Sequence, residues 1–149
     1  MDNLYKVSEV KLAYETTVER DKKMKVTTSE EAYKLMLNNW EQREYRESFK
    51  ILLLNRSNQV LGINTISTGG ISETAVDVRM ILQAALLANA SAIMVIHNHP
   101  SGNTTPSSND DKITYKIGKA SQLIDISLVD HLIITKEEYY SYADESRLE

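Results

Sequence analysis

Apolar positions along this chain follow two periods, and the switches between them mark its elements. Phe49-Lys50-Ile51-Leu52-Leu53-Leu54 is almost continuously apolar, as a strand covered on both faces is. Polar Asn55-Arg56-Ser57-Asn58-Gln59 follows, and Val60 to Ser67 returns, which predicts a hairpin. Thr68-Gly69-Gly70 ends it. From Val78 to Ala88 the spacing becomes helical, with Asp77 as cap and Met80, Ile81, Ala84, Ala85, Leu87 and Ala88 expected to be mostly buried. Ala92 to Ile96 is again an unbroken apolar run and predicts a second buried strand. Ile113, Ile117, Ala120 and Ile124 then mark the inner face of a helix from Ser107 to about Leu123. Ile126–Val129 and His131–Thr135 form one interrupted or bent strand. Lys136-Glu137-Glu138 turns the chain into a last short strand over Tyr139–Tyr142, followed by a frayed acidic tail.

The first forty residues are less regular. Val7 to Val18 alternates imperfectly and is rich in β-formers, which predicts an edge strand near Val10–Thr17. Thr28-Ser29-Glu30-Glu31 starts a helix, with Thr28 capping and Glu31 reaching back. That helix runs to about Trp40 and buries Ala32, Leu35, Met36 and Trp40. The single Trp is given a core-packing role. Strands and helices alternate irregularly, without repeats or linkers. The expected fold class is α/β of the α+β type: a mixed β-sheet flanked by helices. The expected organisation is one domain over 1–149, with a strand-and-helix extension at 1–40 and a core at 41–143.

Composition changes this picture little. The chain has 149 residues, 42% hydrophobic and 26% charged, enough for one real core. A net charge of −4 and a pI near 5.4 speak against tight sequence-independent binding of nucleic acid. There is no Cys, which fits a reducing compartment and excludes a thiolate metal site. No apolar run is long enough to span a bilayer, and the opening Met1-Asp2-Asn3 is polar, so a cytoplasmic protein without a secretory signal is expected. The expected partners are a protein or peptide substrate and, as open alternatives, further copies of the same chain and a nucleic acid, the last without support from the charge. A membrane is not among them.

The chemistry lies at the end of the Ala92–Ile96 run. His97 and His99 are two apart on a strand and so point to one face. Pro100 stops the strand and Ser101-Gly102 turns the chain. Ser107 is placed as the N-cap of the next helix, and Asp110 falls in its first turn. The short polar loop between can fold back, so that Asp110 meets the two imidazoles. Two neutral imidazoles and one carboxylate are a three-ligand set for Zn2+, with the fourth tetrahedral position left to water. Taken singly, a His-x-His pair is often inconsequential and Ser-x-x-Asp is often only a capping box.

The run H-N-H-P-S-G-N-T-T-P-S-S-N-D resembles the metal motif of the JAB/MPN (JAMM) metalloproteins, H-x-H-x7-S-x2-D, at His97, His99, Ser107 and Asp110 without a gap. Its form resembles the RadC branch, bacterial proteins once named for DNA repair. The likeness covers Glu47 to about Leu132 and includes Gly69, Arg79 and Leu128-Val129-Asp130-His131; Met80 stands where a Glu usually follows the Arg. The resemblance implies a cytidine-deaminase-like JAB/MPN fold and a zinc-activated water. It also implies a general base at Glu47, with Glu44 as rival in the charged run 41–47. Ser107 would be the donor to the oxyanion of a tetrahedral intermediate. His131 is expected to be a hydrogen-bonded structural residue rather than a ligand, with a supporting role for it or Asp130 behind the ligands left open. The helix-hairpin-helix module of longer RadC proteins has no counterpart in residues 1–40. Three functions compete: a zinc hydrolase of the metallopeptidase or isopeptidase type, a non-catalytic JAB/MPN scaffold, and a DNA-repair or mobile-element accessory protein. Specificity is expected from loops, Thr68–Val76 and the Asn103–Pro106 tip.

Overall fold

Each buried strand found in the sequence lies inside one sheet, and the helices cover both of its faces. The structure is a computed structural model that describes residues 5–41, 44–69 and 75–148. Met1-Asp2-Asn3, two residues of the charged run 41–47 and the middle of the Thr68–Val76 loop lie outside the described residues. The elements in order are α1 (Ser29–Asn38), β1 (Ser48–Leu54), β2 (Val60–Thr68), α2 (Val78–Leu87), β3 (Ala92–Asn98), α3 (Ser108–Gln122), β4 (Ser127–Ile134) and β5 (Tyr139–Ser141). The sheet order is β2-β1-β3-β4-β5. β1 pairs antiparallel with both β2 and β3, β3 runs parallel to β4, and β5 returns antiparallel on β4. A parallel pair needs a crossover, and α3 supplies it. The class is thus mixed α/β, as the alternation predicted.

Strand alternation divides the core in two. Phe49, Ile51, Leu53, Ile93 and Val95 face α2 and α3, where Ile81, Ala85 and Ile117 meet them. Leu52, Leu54, Met94, Ile96, Leu132 and Ile134 face α1 through Ala32, Met36 and Trp40. All seven residues of β3 are buried, because β3 has a strand on each edge and helices on each face.

The caps agree with the sequence. Thr28 accepts from the Glu31 N–H at the start of α1, and Asp77 from the Arg79 N–H at the start of α2. The Glu31 carboxylate reaches back to Thr27, one residue before the cap. Asn58, Asn89 and Asp125 take positive φ in the hairpin turn and just beyond two helices, where Asn and Asp are tolerated.

Four expectations need correction. Val10–Thr17 forms no ladder. It is exposed, and its Tyr14 hydroxyl donates to the Leu61 carbonyl of β2. β propensity describes fit to a pleated, half-buried surface, and this segment has no such surface beside it. Met80 lies on the outer side of α2, 45% exposed. Ile124 falls outside α3, which stops at Gln122, and it is also exposed. The acidic end does not fray as expected: Arg147 pairs with Asp111 at 2.7 Å, and Tyr142 donates to the same carboxylate at 2.7 Å. The interrupted strand is real. Ser127–Ile134 is one strand whose register on β3 shifts between Ile93↔Leu128 and Met94↔Asp130, so Val129 is an extra residue. No helix among the described residues is long and apolar enough to cross a membrane.

Candidate metal centre

Strand β3 ends where β1 begins, because the two are antiparallel and their last pair is Phe49↔His97. Glu47, two residues before Phe49, therefore lies beside the end of β3. Its backbone is held on both sides by Asn98, which is buried. The Asn98 amide donates to the Arg46 carbonyl at 2.7 Å and its carbonyl accepts from the Ser48 N–H at 2.7 Å. Gly69 N–H donates to the Glu47 carbonyl at 2.8 Å. The Glu47 carboxylate ends 4.0 Å from His97 Nε2, largely shielded from solvent.

The two imidazoles converge. His97 Nε2 and His99 Nε2 are 2.9 Å apart. Beyond His99 the chain turns through Gly102 at φ +88° and returns to the N-terminus of α3. There Ser107 Oγ accepts from the Asp110 N–H and Asp110 Oδ2 accepts from the Ser107 N–H, a complete capping box. That box aims the other oxygen inward: Asp110 Oδ1 is 3.2 Å from His97 Nε2, and Oδ2 is 3.5 Å from His99 Nε2. A tetrahedral ion with ligands at about 2.0–2.1 Å separates its donor atoms by about 3.3 Å. The three spacings bracket that value. Glu47, His97 and His99 also form a group whose ligand atoms lie within 4.8 Å of one another. Of the two carboxylates, Asp110 is the closer to the imidazoles. The donor set of imidazole nitrogens and carboxylate oxygens suits zinc.

Electrostatics divide the pair. Burial pushes the His97 imidazole below its ordinary value, although Asp110 pulls the other way. For His99 burial also lowers, but hydrogen bonds to Asp110 and to the Asn103 carbonyl outweigh it, and the net shift is up. The Asp110 carboxyl is held far below the usual range: burial opposes this, but the two histidines and the Ser107 N–H prevail. His131 is fully buried and kept neutral by that burial. Each metal-facing ring has a partner behind it. His99 Nδ1 donates to the Asn103 carbonyl at 2.6 Å, and His97 Nδ1 is 2.8 Å from His131 Nε2.

The sequence profile described as the RadC-like JAB domain matches residues 26–147. The chain belongs to the RadC-like JAB family. Its mixed sheet with three helices is consistent with the JAB/MPN fold expected of that family. A Flavobacterium johnsoniae protein named only UPF0758 protein is 41% identical over 121 residues, covering 81% of this chain and 52% of its own. The UPF0758 protein YfjY of Escherichia coli K12 is 45% identical over 103 residues, covering 69% and 64%. A Thermotoga maritima UPF0758 protein is 38% identical over 103 residues, covering 69% and 46%. This RadC-like chain thus spans about half to two thirds of the length of these curated relatives. Their printed names give no activity.

The RadC-like site opens into a cleft of about 660 Å³ between α3 and the segment Ala75-Val76 that precedes α2. Glu47, His97, His99 and Asp110 form one end, Val76 and Ile113 an apolar wall, and Lys112 and Lys116 a cationic one. Ser107 is at the rim. Its oxygen accepts from Asp110 through a lone pair, so the cap leaves the hydroxyl hydrogen to be aimed into the cleft. Glu44 lies elsewhere, 3.5 Å from Lys136 on the surface. Ser101 lines the cleft, whereas residues Asn103–Pro106 of the expected specificity tip do not. Arg79 is paired with Asp77 and exposed. Sequence reasoning passed over Asn98. The signal was there: an amide at the end of a fully apolar strand must find partners when buried.

Proposed function

We propose that this domain is a zinc-dependent hydrolase, of the metallopeptidase or isopeptidase type, cleaving an amide bond laid along the cleft. The observation that carries this is the convergence of two imidazoles and the Asp110 carboxylate at spacings that suit one ion, with a second, shielded carboxylate 4.0 Å away. His97, His99 and Asp110 would hold the zinc, which when bound supplies a water made acidic enough to ionise near neutral pH.

The remaining work falls to the chain's own groups. Glu47 takes the proton of the attacking water and passes it to the leaving amine; its shielding keeps bulk water from competing. Ser107 donates from its hydroxyl to the oxyanion as the carbonyl becomes tetrahedral. The apolar wall of Val76 and Ile113 and the cations of Lys112 and Lys116 would bind the substrate on either side of the scissile bond.

The test is metal analysis of protein purified without chelator, then a screen of peptide, isopeptide and phosphodiester substrates. One zinc per chain and a chelator-sensitive peptidase or isopeptidase activity are expected. No zinc in protein purified near neutral pH would overturn the reading. Zinc with only phosphodiesterase activity would replace the substrate class. Zinc without turnover on any of the three would favour a scaffold.

A further inference from the structure

The two metal-facing rings are supported in unlike ways. A carbonyl can only accept, so Asn103 fixes the His99 proton on Nδ1 and leaves Nε2 its lone pair. The partner of His97 is another imidazole, His131, and a neutral imidazole can accept or donate at Nε2. If it donated, His97 would carry its own proton on Nε2 and could not bind a metal there.

The decision lies one group further back. His131 Nδ1 is 2.5 Å from Thr114 Oγ1, and Thr114 Oγ1 donates to the Asp110 carbonyl at 2.6 Å. A hydroxyl has one hydrogen. With it given to Asp110, Thr114 can only accept from His131 Nδ1–H. His131 Nε2 must then accept from His97 Nδ1–H, and His97 Nε2 is left with its lone pair toward the site.

The strand geometry is built for this. Val129 is the extra residue in the parallel pair, so His131 lies opposite Val95 and shares the face of His97. Had Val129 been paired and the register run on unshifted, His131 would lie opposite Ile96 and face α1. His131 is also clamped between Tyr142, stacked at 4.8 Å, and the edge of Phe49.

We propose that His131 and Thr114 are positioning residues that set the tautomer of His97, through the one-way chain His97 to His131 to Thr114 to the Asp110 carbonyl. The chain also ties β3, which carries His97, to α3, which carries Asp110. This inference rests on the zinc reading above but makes a separate claim about how the site is poised.

The experiment uses the full chain and zinc alone. Affinity is measured by competition with a chromophoric chelator for wild type, Thr114→Val, Thr114→Ser and His97→Ala. Long-range nitrogen–proton NMR of the zinc-loaded wild type reads the tautomer of His131. Thr114→Val should weaken zinc binding by about 10–100-fold, the usual cost of losing such a supporting partner, and Thr114→Ser should restore it. In the loaded wild type, His131 should carry its proton on Nδ1. Wild-type affinity in Thr114→Val, or a proton on His131 Nε2, would overturn the inference and leave the zinc site standing. The NMR result needs no substitution, so it decides even if Thr114→Val fails to fold. Undiminished zinc in His97→Ala would instead overturn the site, and the inference with it.

Discussion

The site has a strand side and a loop-helix side, and they are built differently. Glu47, immediately before β1, and His97, on β3, are shielded from solvent and held by residues far away in sequence: Asn98 for the backbone beside Glu47, His131 for the ring of His97. His99, Ser107 and Asp110 stand on the turn and at the start of α3, partly or fully exposed, their side chains held by neighbours within four residues; the one long reach is the His99 N–H, which donates to the Ile134 carbonyl at 3.1 Å. One side draws its order from the whole sheet. The other is nearly self-sufficient, a capping box and one turn. Damage to the strand side should therefore be deep and propagate, while damage on the loop side should be local.

The largest effect is expected at His97. His97→Ala removes a metal-facing nitrogen and the partner of His131, and should abolish stoichiometric zinc, measured by elemental analysis. Full retention would break the comparison at its centre. Glu47→Gln comes next: fold and zinc kept, turnover lowered by about 10²–10⁴-fold, in kcat more than in KM. Glu44→Gln is its control and should be nearly silent, since that carboxylate pairs with Lys136 at the surface. If the two results exchanged places, the base would be Glu44.

Asn98→Ala is expected to be smaller in turnover but visible in stability. It leaves the buried Ser48 N–H without this partner, a cost of about 1–3 kcal/mol in chemical denaturation, and frees the Arg46 carbonyl, which solvent can reach. A silent Asn98→Ala would mean that the strand side does not depend on long-range support. The smallest stability effect is Ser107→Ala, about 1 kcal/mol for a lost N-cap. Its turnover should fall by more than that loss explains, if the hydroxyl also serves the oxyanion. Adding chelator should not unfold the domain, because none of Glu47, His97, His99, Ser107 and Asp110 belongs to the hydrophobic core between the sheet and its helices. Cooperative unfolding on chelation would make the metal structural.

The same contrast explains what the sequence disclosed. The capping box, the turn at Gly102 and the histidine spacing are short-range features, and all were legible from residue order. So were β1, β2 and β3, whose apolar runs leave little choice. Glu47 was placed only through the family resemblance, since nothing local separates it from Glu44 in a charged run. Asn98 and Thr114 were not found, because their partners lie 50 and 17 residues away. His131 was read as a hydrogen-bonded core histidine, which it is; that it faces His97 depends on a one-residue bulge whose effect shows only in the pairing. Val10–Thr17 failed in the opposite sense: a sound local pattern with no neighbouring strand.

The position of β3 has a consequence for synthesis. The chain leaves the ribosome N-terminus first, so β1 and β2 can pair before β3 exists, and β3 can join them before β4 does. When residue 122 has emerged, all five motif residues, Glu47, His97, His99, Ser107 and Asp110, have been made. Yet β3 then has an open edge of buried-type residues where β4 belongs, and His97 has no His131 behind it. Such a nascent chain carries the whole motif and no finished site, with a bare apolar edge that is a template for pairing with other chains. The residues after 122 contribute none of those five side chains, yet they close the open edge of β3 and put His131 behind His97.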